Sequence, residues 1–65
     1  MGDFFLVKVI LFDEEHELDL EDEVNNFIEE LQGRIIDIKY QVAIGYNNNE
    51  MEYCYSCLIM YEENV

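Results

Sequence analysis

Proline and tryptophan are absent from this chain of 65 residues, glycine occurs three times, and Lys and Arg together only three times. With three cations the chain has nothing to replace counterions along a nucleic-acid backbone, so direct nucleic-acid binding is excluded as a function class. Two cysteines are too few for a disulfide framework, and no signal-peptide pattern precedes them, which together point to a reducing cytosol. Long apolar runs are also missing. The stretch 4–12 contains Lys8 and has about half the length a bilayer crossing needs. Gly2 follows Met1, yet Leu6 stands where a myristoylation motif requires Ser or Thr. The expectation is a chain that neither spans nor is anchored to a membrane. Without proline, a linker or an internal repeat, residues 1–65 read as a single domain.

What the chain does have is acid. Ten of the eighteen residues from 13 to 30 are Asp or Glu, with no Lys or Arg among them, and the net charge is -13. Charge at this density destabilises a compact monomer by self-repulsion. Yet half of the residues are hydrophobic and nine are aromatic, which is incompatible with a disordered acidic tail. A domain this small usually needs a staple, and self-association is one of the available kinds.

The hydrophobic pattern predicts a strand over 4–12, a helix over 19–32, and strands over 34–44 and 51–61. Leu20, Val24, Phe27, Ile28 and Leu31 fall on one helical stripe. Asp19 is placed to cap the helix, Glu21, Asp22 and Glu23 to favour the positive end of its dipole, and Gly33 to close it in a left-handed conformation. Residues 45–50 read as a turn. This order gives an α+β fold, β-α-β-β, with a three-stranded sheet and one helix packed on one face. If the first two strands run parallel, the helix is the right-handed crossover between them. The third strand, apolar on both faces, belongs better in the middle than at the edge.

One helix covers one side of a sheet. The row Phe5, Val7, Val9, Leu11, Ile36, Ile38, Tyr40 and Val42 is the better candidate for that side. Phe4, Leu6, Lys8, Ile10, Phe12 and Lys39, with Ile35 and Ala43, then lie on the other. An apolar patch of that size marks an interface, so the sequence predicts a homodimer or larger oligomer built on this sheet face.

Chemical motifs are few. Cys54 and Cys57 have CxxC spacing but fall within a strand, where residues three apart point to opposite faces, so the pair reads as structural rather than redox or zinc-binding. His16 has no second histidine four residues on, and the acidic run lacks the central glycine and alternating ligands of a calcium loop. No nucleophile–base pattern or phosphate loop is visible, so no enzyme, no catalytic residue, no metal and no cofactor is expected. Asp13, Glu14, Glu15, Glu17, Glu21 and Asp22 form a candidate acidic face for a basic partner, against the blander reading of a solvated surface that keeps an apolar sheet soluble. Lys8 and Lys39, placed on one side with aromatic rings, suggest instead a pocket for a small anionic ligand such as a nucleotide.

The stretches 9–21, with its Phe12-Asp13-Glu14-Glu15-His16-Glu17 string, 36–42 and 52–61 together resemble the short Cse-type sporulation proteins of endospore-forming bacteria and their phages. The resemblance covers nearly the whole chain and implies a bacterial or phage-infected cytosol, but brings no activity to transfer. Leu18 departs from the family by standing where a lysine is expected. The leading expectation is a non-enzymatic, acidic, homo-oligomeric binding protein, linked to sporulation or to phage inhibition of host defence, that occupies a basic surface on a host protein. The alternatives are a sequestering protein holding a small anionic ligand, such as a signalling nucleotide, at an oligomer interface, and a structural component of the spore.

Overall fold

A computed structural model describes residues 5–64. Its elements follow the order β1 (Phe5–Glu14), α1 (Glu17–Glu30), β2 (Gly33–Asn47) and β3 (Glu50–Asn64). The sheet order is β1-β3-β2, and β3 is antiparallel to both neighbours. The two outer strands therefore run parallel, α1 links them, and β3, apolar on both faces, takes the centre.

The helix begins two residues before the predicted Asp19. His16, in an extended conformation (φ -125°, ψ 134°), holds the N-cap position without a side-chain bond, and Leu20 N–H donates to its carbonyl at 3.2 Å. Glu17 and Asp19 are the acids of the first turn. At the other end Leu31 leaves the helix in an extended conformation (ψ 127°), so Gly33 closes nothing. Gly33 opens β2 instead, and a Cβ there would collide with the backbone carbonyl of Glu62. Glycine is required at that point by close approach of two strands rather than by a left-handed turn.

Leu20, Cys57, Ile59 and Tyr61 are the buried residues of the core. Ile10, Phe12, Val24, Phe27, Leu31, Ile35 and Tyr55 pack around them. Phe27 is the helix's main anchor. Its ring meets Tyr61 edge-on at 4.9 Å between centroids and Phe12 at 6.0 Å, contacts that favour aromatic pairs beyond area alone.

This packing reverses the expected face of β1. Ile10 and Phe12 lie beneath the helix, while Phe5, Val7, Val9 and Leu11 are exposed, the last three on the open side of the sheet. Both faces of β1 are apolar, so alternation alone did not distinguish them. In β2, Ile38, Tyr40 and Val42 are on the helix side as expected, and so is Ile35, which was not. The cause is a register shift between Ile35 and Asp37: Ile36 is an extra residue that changes which parity faces the helix.

Beyond the last β1 pairing, Glu14 with Tyr55, the strands β2 and β3 continue as a two-stranded arm of residues 43–54. The predicted six-residue turn shrinks to Asn48 and Asn49, both left-handed (φ 50° and 67°), the geometry of a primed two-residue hairpin turn whose twist matches its strands. The arm makes the molecule elongated, with extents of 60 × 17 × 13 Å and a radius of gyration of 15.1 Å, against about 11 Å for a compact chain of this length.

Candidate functional site

Three surfaces are distinguished by the strands that build them. The first is the helix side of β2. Because α1 lies over β1 and β3, the row Ile38, Tyr40, Val42, Ile44 and Tyr46 runs beside it uncovered, each at least 40% exposed. Where this row meets the start of the helix it forms a shallow groove of about 1020 Å³, walled by Glu15–Asp19 on one side and by Ala43–Gly45 and Met51–Tyr55 on the other. A smaller recess of about 350 Å³ continues between Leu18, Leu20 and Glu21 and the side chains of Ile38 and Tyr40. Partial burial holds the Tyr55 phenol above its ordinary pKa, with the Glu17 carboxylate adding to the effect.

The second surface is the acidic run, which is not one face. Asp13 lies on the open side of the sheet, where its carboxylate accepts a 2.6 Å hydrogen bond from Ser56 Oγ. Glu14 pairs with Tyr55 and is half-buried on the helix side. Glu15 and Glu17 line the groove, Glu21 the recess, and Asp22 is exposed on the helix. The sequence grouped six carboxylates that the structure divides between two sides.

The third surface is the open side of the sheet. Val7, Val9 and Leu11 stand exposed on β1, beside half-buried Leu58 and Met60 on β3 and the charges of β2. Arg34 Nε donates to Glu62 at 2.8 Å, and this bond with the attraction of that carboxylate raises the guanidinium's pKa further. Lys39 makes no ion pair among the described residues.

Lys8 and Lys39 are consequently not neighbours. Lys8 is on the helix side, in the row of Leu6, Ile10 and Phe12, and donates to Glu63, a bond that raises its pKa. Lys39 is on the open side, level with Leu58. Leu6 is 48% exposed at the end of β1, and Phe4 lies outside the described residues. The residues expected on one face are thus divided: Leu6, Lys8, Ile10, Phe12 and Ile35 are on the helix side, and Lys39 and Ala43 on the open side.

Cys54 and Cys57 point to opposite sides, Cys57 buried under the helix and Cys54 exposed, and both are free thiols. Burial pushes the Cys57 thiol above its ordinary pKa. Among the described residues no cluster of three His, Cys, Asp or Glu side chains is arranged to hold a metal ion, and no helix is long and apolar enough to cross a membrane.

No solved structure matches the chain. The family described as Sporulation protein Cse60 matches residues 6–63. Sporulation protein cse60 of Bacillus subtilis (strain 168) is 43% identical over 60 residues, which is 89% of this chain and 100% of that protein. The match spans every strand and the helix, so the chain belongs to the Cse60 family of sporulation proteins.

Proposed function

We propose that this sporulation-family protein is a non-enzymatic, cytoplasmic binding protein that works as a homo-oligomer and offers its acidic helix side to a basic protein. One observation carries the reading. The chain exposes 5317 Å², whereas a folded monomer of 7.8 kDa exposes about 4400 Å². Among the described residues, fifteen large hydrophobic side chains are exposed around a core of four buried ones. Surface of that kind is stable in water when another surface covers it.

The acidic helix gives such an assembly a second property. All seven carboxylates of α1 stand on one side of the sheet, so an assembly made through the other side displays them outward and steers basic proteins toward it. In a sporulating cell or a phage-infected one, occupying a basic surface of a host factor is the use this favours. The reading as a pocket for a small anion draws less support, because the two lysines it needs are on opposite sides of the sheet.

Equilibrium sedimentation at tens of micromolar tests the reading. A mass of at least two chains is expected, and a monomer at that concentration overturns it. Weakened capture by a cationic resin at matched salt in a Glu17→Lys, Glu21→Lys variant, with the mass unchanged, is the expected signature of the outward acidic side.

A further inference from the structure

The pairing register across the open side of the sheet has a symmetry of its own. Val9, Met60 and Asp37 form one row across β1, β3 and β2, and Leu11, Leu58 and Lys39 form another, two residues along. Between them lies the row Ile10, Ile59 and Ile38, which points to the helix side. The two outward rows are therefore about 7 Å apart and equidistant from that central level. A twofold axis running across the strands at the level of Ile59 exchanges them. It sets Val9 over Leu11 of a second copy, Met60 over Leu58, and Asp37 over Lys39, each contact occurring twice.

We infer that this face is the interface of a homodimer in which two sheets pack back to back about that axis, with Lys39 of each copy opposite Asp37 of the other. The inference rests on the oligomer reading above and specifies its geometry. Three observations converge on it. The apolar rows are self-complementary, matching Val with Leu and Met with Leu at the roughly 10 Å spacing of stacked sheets. The charges are self-complementary as well, and Lys39 is the cation that makes no ion pair among the described residues. Finally, this is the face that leaves both acidic helices on the outside, so a pair of chains each carrying -13 keeps its repelling carboxylates apart. The next row outward sets Val7 over Asp13, whose carboxylate is already held by Ser56, and marks where the apolar centre gives way to a polar rim.

Charge exchange tests the arrangement, with masses followed by sedimentation equilibrium of the full chain and folding by far-ultraviolet circular dichroism. Lys39→Asp alone puts Asp against Asp twice, and Asp37→Lys alone puts Lys against Lys twice. Each is expected to raise the dimer dissociation constant at least about tenfold. An equimolar mixture of the two variants restores opposite charges at both contacts and is expected to form the mixed dimer, as the double variant forms its own. Leu11→Asp, at a 66% exposed position, is a second probe and is expected to be a folded monomer. Folded Lys39→Asp and Leu11→Asp chains that dimerise as tightly as the parent overturn this interface and leave the oligomer reading intact. A parent chain that is monomeric overturns both.

Discussion

The two ends of the molecule are made of the same two strands and differ in what lies against them. Where β2 runs from Gly33 to Val42 the sheet has its third strand, with the helix over β1 and β3, and every buried residue of the sheet is at this end. From Ala43 to Cys54 the same strands have neither, and Ile44, Tyr46, Met51 and Tyr53 are all exposed. Composition is not the difference, since the arm is as apolar as the block. Burial is supplied by the third strand and the helix, and an isolated two-stranded ribbon is marginal in water.

Cutting the same kind of side chain from both ends should have unequal effects. Ile59→Ala, at a fully buried position, is expected to cost about 2–5 kcal/mol in urea denaturation. Ile44→Ala, more than half exposed, is expected to stay within about 0.5 kcal/mol in the same measurement. Equal losses would mean that the arm is packed against something in solution. Gly33→Ala comes next, because its Cβ meets backbone rather than a side chain that can swing aside. A loss of about 2 kcal/mol or more is expected, with the Gly33–Glu63 end of the ladder losing amide-exchange protection first.

At the arm's tip, Asn48→Ala places an ordinary side chain at φ 50° and is expected to cost about 1 kcal/mol of hairpin stability. Faster amide exchange confined to residues 43–54 would locate that loss in the arm. The smallest effect separates the cysteines. Cys54 is expected to react with a thiol reagent in the folded chain, and Cys57 only on unfolding, as read by mass spectrometry. The raised pKa of Cys57 has a further sign. Its neutral thiol is favoured by folding, so that contribution is complete below the ordinary thiol pKa and is lost as pH rises through the folded value. A melting temperature that falls on the alkaline side, and falls less in Cys57→Ala, checks it.

Helix existence and element order were legible because each rests on a clear change of hydrophobic period, and the central place of β3 on a weaker cue. Leu20, Val24, Phe27 and Leu31 suit a helix and nothing else, whereas two apolar faces favour the centre for β3 but describe edge strand β1 as well. The opposite placement of Cys54 and Cys57 followed from period two. The side of β1 that meets the helix was not legible, because Val9 and Ile10 are equally fit for burial and Phe27 decides between their rows through space. The shift at Ile36 was invisible for a related reason: an extra isoleucine among isoleucines leaves no break in hydrophobicity. The first of these, the side of β1, placed Lys8 beside Lys39, whereas the structure sets them on opposite sides of the sheet. The helix start moved because His16 needs only an extended backbone to serve there, which no residue type announces.

The arm has one more consequence. Over residues 50–54 β3 has a free edge where β1 would continue, and β2 is free along its outer side. Ribbons with open edges recruit further ribbons and grow without limit. Here Glu50 and Glu52 recur on one face of the exposed segment, so stacking copies in register would pile carboxylates about 4.8 Å apart. The acid that dominates the middle of the chain thus has a smaller counterpart at its tip, which sets a stopping rule: edgewise growth of copies into a fibre is opposed.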